Sequence, residues 1–193
     1  MNVGILAIQG DVDAHAQALE RLGASTQPVL REKHLAEIDA LVLPGGESTT
    51  IAKGLDRLGL YGPLLSFAES GRPILGTCAG AILLAKASQN HPVRTLGLID
   101  LVAHRNAYGT QVDSFAAVAD TPEQGAPEAA RAFSGLRCVF IRAPRLVELS
   151  SDVEVLVRVE GAPVLVRRDN LIVCTFHPEL GGDPRVHQLL DPA

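Results

Sequence analysis

The chain of 193 residues has no tryptophan, only 4% aromatic residues and three cysteines. Few aromatic side chains argue against binding of nucleic-acid bases by stacking, and a net charge of −5 offers no basic surface for a phosphate backbone. Three cysteines without metal-ligand spacing argue against a disulfide framework or a metal site and favour a reducing compartment. We therefore expect a cytoplasmic protein that binds no nucleic acid, metal or cofactor.

Long apolar runs are also absent. No stretch approaches the roughly 18 residues that cross a bilayer, and the first residues resemble a strand without the cationic start of a signal peptide. With 47% hydrophobic and 20% charged residues, the composition is that of a globular protein. We expect one domain over residues 1–193 and no association with membranes.

Short β-branched runs alternate with helical patterns in the first half of the chain. This order predicts an α/β fold, a three-layer sandwich in which helices flank a mostly parallel sheet. The predicted strands of this half cover residues 3–8, 28–30, 40–43 and 73–75, and the predicted helices 12–22, 50–58, 63–70 and 79–87. Later strands are predicted over 112–118, 139–142, 153–159, 164–167 and 171–176, a surface loop with one helical turn over 120–135, and a helix over 184–190.

The run Gly76-Thr77-Cys78-Ala79-Gly80 lies between a predicted strand and a predicted helix. Small residues around a cysteine permit a sharp elbow that presents the thiol. At a helix N-terminus the positive end of the dipole favours the thiolate. The pattern indicates a cysteine nucleophile, although a closely packed turn is the alternative. Cys138 and Cys174 lie in apolar strands and are predicted to be core residues.

A second group of reactive side chains follows the last predicted strand. In Phe176-His177-Pro178-Glu179, the residue before proline is extended, so His177 and Glu179 project to the same side. The carboxyl ends of strands are where open α/β sheets form their sites. Cys78 is expected to meet the pair there, with His177 as base and Glu179 as its orienting carboxylate. A histidine beside a proline is also often merely structural.

The run Pro44-Gly45-Gly46-Glu47-Ser48-Thr49 follows the strand predicted over 40–43. Its glycines let backbone N–H groups turn toward a ligand, so the N–H groups of Gly46 and Ala79 are predicted to form an oxyanion hole. The alternative is a simple turn in which Ser48 or Thr49 caps the next helix. No Gly-Lys-Ser/Thr follows, which argues against a phosphate-binding loop.

The remaining histidines fall on predicted polar faces or in loops, where we expect them to face solvent. They are His15, His34, His91, His104 and His187.

Together, the cysteine elbow and the late His-Pro-Glu resemble the class I glutamine amidotransferases, which use a Cys-His-Glu triad. A narrower resemblance, to the glutaminase subunits of pyridoxal 5'-phosphate synthases, covers nearly the whole chain. It rests on an opening Gly-Ile-Leu-Ala-Ile-Gln-Gly at 4–10 and on later runs in the same order. These runs are Pro-Gly-Gly-Glu-Ser-Thr-Thr at 44–50, Arg-Asn-Ala-Tyr-Gly at 105–109, Gln-Val-Asp-Ser-Phe at 111–115, Phe-Ile-Arg-Ala-Pro at 140–144 and Phe-His-Pro-Glu-Leu at 176–180.

The resemblance implies that L-glutamine is hydrolysed to glutamate and ammonia through a thioester on Cys78. It also implies a partner, a barrel-shaped synthase subunit that uses the ammonia to build pyridoxal 5'-phosphate within a large hetero-oligomer. Without the resemblance, a surface ion pair is the preferred explanation of Arg105. With the resemblance, the arginine fork suits the α-carboxylate of glutamine. The residues that the resemblance places around the substrate are Gly46, Glu47, Ser48, Arg105, Ile141 and Arg142.

Two other functions fit part of the pattern. Cysteine hydrolases of the ThiJ/PfpI type place a cysteine at a similar elbow, but a late His-Pro-Glu is not expected in them. A scaffold without turnover is the other alternative, and the complete set of three reactive side chains argues against it.

Overall fold

A computed structural model describes residues 1–90, 92–105, 114–122 and 127–191. Its strands are β1 (Asn2–Leu6), β2 (Ser25–Val29), β3 (Ala40–Leu43), β4 (Ile74–Thr77), β5 (Ala85–Gln89), β6 (Ile99–His104), β7 (Ser114–Val118), β8 (Arg137–Ile141), β9 (Arg145–Val147), β10 (Glu154–Val159), β11 (Ala162–Arg168) and β12 (Leu171–Cys174). Its helices are α1 (Val12–Glu20), α2 (Glu32–Leu35), α3 (Ser48–Leu58), α4 (Tyr61–Glu69), α5 (Ala79–Leu84), α6 (Glu128–Arg131), α7 (Pro178–Gly181) and α8 (Arg185–Gln188).

Seven strands form the central sheet, in the order β10-β11-β12-β4-β3-β1-β2. The strands from β12 to β2 are mutually parallel, whereas β11 runs antiparallel to both β12 and β10. All residues of β3, β4 and β12 are buried. Parallel strands covered on both faces consist of continuous apolar runs, which is why these strands were predictable from the sequence.

Two hydrophobic clusters cover the opposite faces of this sheet. One cluster includes Leu55 of α3 and Phe67 of α4, and the other includes Leu19 of α1, Phe140 of β8 and Val186 of α8. The predicted single-domain α/β fold, with helices on both faces of a mostly parallel sheet, is therefore confirmed.

Smaller sheets account for most differences from the prediction. The helix predicted over 79–87 ends at Leu84, because the chain continues as β5, which pairs in parallel with β6. Strands β6 and β9 were not predicted, and they pair antiparallel with each other. The strand predicted over 112–118 is described from Ser114, as β7 paired with β8, and its first two residues lie outside the described residues.

The region 120–135 contains the predicted helical turn, α6 (Glu128–Arg131); residues 123–126 lie outside the described residues, as does His91. In the part of the chain that the structure describes, no helix is both long and apolar enough to span a membrane.

The parallel register brings several chain segments to one edge of the sheet. Gly76 of β4 is level with Leu43 of β3, and Thr77 is level with Cys174 of β12. The residues that follow β1, β3, β4 and β12 therefore emerge side by side, as expected for the carboxyl ends of parallel strands.

Candidate active site

Cys78 occupies a sharp elbow between β4 and α5. Its φ of 47° and ψ of −98° lie in a region that side chains rarely adopt. Its backbone N–H donates to the carbonyl of Cys174, at 2.8 Å, which ties the elbow to the neighbouring strand. The side chain is buried, and its Sγ lies 3.7 Å from the carbonyl oxygen of Ile141.

The two glycines of the elbow allow backbone segments to pack in direct contact. A Cβ on Gly80 would lie 1.9 Å from the carbonyl oxygen of Leu43, and one on Gly76 would lie 2.7 Å from the carbonyl carbon of Gly80. Only glycine fits either position, so the Gly-x-Cys-x-Gly pattern is a packing requirement of the elbow itself.

Gly80→Ala is therefore expected to lower the free energy of unfolding by about 3 kcal/mol or more, because the backbone must move to admit one methyl group. Gly62→Ala is the matched control: a Cβ there meets nothing within 4 Å, and alanine in α4 is expected to be neutral or stabilising by about 0.5–1 kcal/mol. Chemical denaturation of the two variants measures the difference. Equal free energies of unfolding for the two variants would contradict the close packing of backbone around Gly80.

His177 lies three residues beyond the end of β12, where its ring interacts with the Cys78 side chain. Its backbone N–H donates to the carbonyl of Val139 at 2.8 Å, and its Nδ1 lies 2.7 Å from Oε1 of Glu179. Because Nδ1 is engaged, Nε2 is the ring nitrogen available to the Cys78 thiol. That nitrogen is buried and has no hydrogen-bond partner among the described residues.

The surroundings of His177 favour its charged form. Burial alone lowers its pKa, but interactions with the Cys78 side chain and with the Glu179 carboxylate outweigh burial and raise the pKa to about 10. The Glu179 side chain is 0% exposed, so this carboxylate acts on the ring in an environment that excludes water. An imidazolium beside a thiol is the arrangement that supports a thiolate nucleophile.

A loop after β3 packs closely against the ring of His177 and against the residues that follow β1. A Cβ on Gly45 would lie 2.6 Å from Cε1 of His177, and one on Gly10 would lie 1.8 Å from the carbonyl oxygen of Gly45. Asp11 N–H donates to that same carbonyl at 3.2 Å. The predicted oxyanion loop is thus held in place from two sides.

Glu47 caps α3 with its side chain. The carboxylate accepts hydrogen bonds from the backbone N–H groups of Thr49 and Thr50, so the cap by Ser48 or Thr49, which was the alternative interpretation of this run, is not formed. Partial burial raises the pKa of Glu47, but the hydrogen bonds from Thr49 and Thr50 outweigh it and lower the pKa to about 2. The ionised carboxylate also lies 3.2 Å from Nη2 of Arg105, which is thereby held over the loop.

One cavity of about 510 Å³ adjoins these groups. It brings together most residues that the sequence predicted for the site: Gly46, Glu47, Ser48, Cys78, Ala79, Arg105, Ile141, Arg142 and His177. Glu179 lies behind His177 and does not line the cavity. The catalytic and substrate-binding roles of these residues stay predictions, but their convergence in one cavity is a structural fact.

The sequence prediction missed the contribution of the segment after β1. Gln9, Gly10 and Asp11 line the same cavity, and Oε1 of Gln9 accepts the backbone N–H of Glu47 at 2.6 Å. Their position directly after a buried parallel strand was the available signal, because that is where residues reach the site edge.

The prediction that the remaining histidines face solvent was wrong for two of them. His15 and His187 are 0% and 1% exposed, because their rings contact each other in the interior and His15 also contacts Thr77 of β4. The predicted burial of Cys138 and Cys174 is confirmed.

Asp11, His177 and Glu179 place potential ligand atoms within 4.8 Å of one another. Nδ1 of His177 lies 2.7 Å from Glu179 and 3.4 Å from Oδ2 of Asp11. The cluster is therefore explained without a metal ion, as a histidine ring held between two carboxylates. A general base needs to be held in position in this way.

Comparisons with known proteins point to one family. A sequence model of the SNO glutamine amidotransferase family matches residues 5–190. The chain is 43% identical over 188 residues to the pyridoxal 5'-phosphate synthase subunit PdxT of Thermotoga sp. (strain RQ2), covering 97% of this chain and 96% of that protein. It is 45% identical over 188 residues to the subunit of the same name from Shouchella clausii, covering 97% and 92% respectively. A solved structure described as a glutamine amidotransferase superimposes with a TM-score of 0.87 at 40% identity, covering 97% of this chain and 96% of that one.

Proposed function

The chain belongs to the SNO glutamine amidotransferase family, and from this membership and the site geometry we propose that it is the glutaminase subunit of a pyridoxal 5'-phosphate synthase. It hydrolyses L-glutamine to L-glutamate and ammonia and supplies the ammonia to the synthase. The observation that carries the proposal is the meeting of the Cys78 elbow with the buried His177–Glu179 pair at one cavity. The ThiJ/PfpI alternative finds no support among the relatives.

Catalysis begins with the Cys78 thiolate attacking the side-chain carboxamide carbon of glutamine. The negative charge that develops on the carboxamide oxygen is stabilised by the backbone N–H groups of Gly46 and Ala79. His177 then gives a proton to the leaving nitrogen, so that ammonia departs and a γ-glutamyl thioester remains. Glu179 keeps the proton of Nδ1 in place, which leaves Nε2 to exchange protons with the thiol and the substrate.

Hydrolysis of the thioester reverses the roles. Water enters the position that ammonia has left, and Nε2 of His177 accepts one of its protons as the oxygen attacks the thioester carbon. The carbon–sulfur bond breaks, glutamate is released and the thiolate is restored. The exposure of Cys78 is 7%, so access to the sulfur is through the cavity rather than from bulk solvent.

We infer that Arg105 binds the α-carboxylate of glutamine. Arg105 lines the cavity, and its Nη2 lies 3.2 Å from Oε1 of Glu47 and 3.3 Å from Oγ1 of Thr49. The planar fork of a guanidinium matches the two oxygens of a carboxylate. Ile141 and Arg142 also line the cavity, and Arg142 has a φ of 45°.

Ammonia is useful to a synthase only if it is delivered, so the proposal includes a barrel-shaped synthase subunit as partner within a large hetero-oligomer. Within it, we propose that residues 1–193 act as one glutaminase domain in the cytoplasm. Low activity in isolation and activation on docking follow from this arrangement, because uncoupled hydrolysis would waste glutamine.

The experiment that tests the proposal measures ammonia release from glutamine with and without a purified synthase subunit. This subunit comes either from the same genome as this chain or from the complex of a PdxT relative. We expect stimulation by the partner, and pyridoxal 5'-phosphate formation from glutamine when the sugar phosphates are supplied. Free ammonium salts should support the synthase alone, which controls for its competence. Absence of ammonia release in both conditions, with a competent synthase, would refute the proposed function.

A further inference from the structure

Two buried histidines have no part in the steps above. His15 lies in α1 and His187 in α8, and both rings are enclosed in the protein. A buried histidine has two polar ring nitrogens, each of which needs a partner. The partners of these two rings lead directly to the triad.

The contacts form a continuous chain through the protein interior. Nε2 of His187 lies 3.0 Å from Nδ1 of His15. Nε2 of His15 in turn lies 3.3 Å from Oε2 of Glu179 and 3.2 Å from Oγ1 of Thr77, the residue before the nucleophile. Oε1, the other oxygen of Glu179, contacts His177.

Both rings are neutral at physiological pH. Burial, followed by the proximity of His187 and His177, lowers the pKa of His15 well below its usual value. Burial, followed by the nearby charge of Arg21, lowers the pKa of His187 to about 4. Each ring therefore carries a single proton, and the position of that proton is decided by the neighbours.

The Glu179 carboxylate determines where the proton of His15 lies. Oε2 is buried and makes no hydrogen bond with the described residues, although Nε2 of His15, which hydrogen-bonds to Oγ1 of Thr77, lies only 3.3 Å from it. If Nε2 of His15 is protonated, its N–H group faces Oε2 of Glu179 and Thr77. In the other neutral tautomer, the lone pair of Nε2 would face the buried carboxylate, which is unfavourable. Nδ1 of His15 is then an acceptor, so Nε2 of His187 must carry the proton between the two rings.

We propose that His15 is a positioning residue for Glu179, and that His187 fixes the tautomer of His15 for this task. The N–H donors point in one direction, from His187 to Nδ1 of His15 and from Nε2 of His15 toward Thr77 and the nearby Oε2 of Glu179. His15 thus holds the Glu179 carboxylate at Oε2, so that Oε1 keeps its contact with Nδ1 of His177. The inference rests on the proposed function for its catalytic consequence, but the proton positions are a property of the folded chain alone.

Nitrogen-15 NMR of the histidine rings in the full wild-type chain tests the proton positions without any assay. Long-range proton–nitrogen correlations distinguish the two neutral tautomers and the imidazolium. We expect protonated Nε2 and unprotonated Nδ1 for both His15 and His187 at pH 7. A proton on Nδ1 of His15, or a charged ring at either position, would overturn the proposal whatever the activity of the protein.

Kinetics of two His15 variants test the positioning role. His15→Leu removes both the donor and the acceptor, and it is expected to lower kcat for glutamine by about 10–100-fold, with KM nearly unchanged, as for partners that orient metal-bound histidines. His15→Gln retains an amide N–H for Glu179 and a carbonyl for His187, so it should recover most of kcat. The matched control is His34→Leu, a half-buried histidine remote from the cavity, which should match wild type.

The outcomes separate the two proposals. Wild-type kcat in His15→Leu, or an equal loss in the leucine and glutamine variants when both are folded by circular dichroism, would show that His15 serves packing only. A wild-type protein without glutaminase activity would refute the proposed function, while the NMR tautomers would still decide whether the hydrogen-bond chain exists.

Discussion

Cys78→Ala is expected to lower kcat for glutamine hydrolysis by a factor on the order of 10⁴–10⁶, the range found when a covalent nucleophile is removed. The substitution deletes one sulfur atom and no backbone constraint, because alanine keeps the Cβ that the elbow already accommodates at a φ of 47°. The thioester cannot form without the sulfur. Ammonia release in the presence of the synthase subunit measures the effect.

Cys138→Ala is the matched control for the loss of a thiol. Burial raises the pKa of Cys138 to about 12, so this thiol is protonated and unreactive at neutral pH. Its removal should reduce stability by about 1 kcal/mol through a small cavity and leave kcat unchanged. Iodoacetamide should label wild type at one position and leave the Cys78→Ala variant unlabelled. Retention of glutamine hydrolysis by the Cys78→Ala variant would disprove the thioester route.

Glu179→Gln is expected to produce the second largest loss, a decrease in kcat on the order of 10³–10⁴, because the amide no longer specifies which ring nitrogen of His177 carries the proton. It also removes a negative charge from a buried site. The carboxylate is one of the groups that raise the pKa of His177 to about 10, so the variant should show a lower pKa for this ring.

The sign of the pH effect follows from that shift. In wild type, the His177 ring stays charged up to its pKa of about 10, which lies in alkaline solution. In the Glu179→Gln variant, the upper pH limit of the charged ring should fall. NMR titration of His177 measures this limit directly, and Glu37→Gln, at an exposed position, is the matched control. An unchanged titration of His177 would mean that Glu179 has no electrostatic influence on the ring.

The central sheet was largely predictable because its parallel strands are buried on both faces. The prediction for β3 matches the structure at both ends, and Cys78 and His177 were placed correctly at strand ends. Local patterns suffice there, because an apolar run followed by a glycine-rich turn has few other structures available.

The errors share a different physical origin. The burial of His15 and His187 depends on contacts between helices that are far apart in the sequence. Local sequence does not indicate that a polar residue on a short helix will be paired with another buried side chain. Likewise, β5 begins within a run of helix-forming residues, because pairing with β6 outweighs local propensity. The cap of α3 by Glu47 was missed because serine and threonine at the following positions offered the more usual cap.

The neighbouring positions of β4 and β12 have a consequence for the newly made chain. Cys78 follows β4, in the first half of the sequence, whereas His177 follows β12, the last parallel strand to be synthesised. A nascent polypeptide thus carries its thiol for much of translation with no base beside it. The proposed nucleophile and base can meet only once β12 lies between β4 and β11.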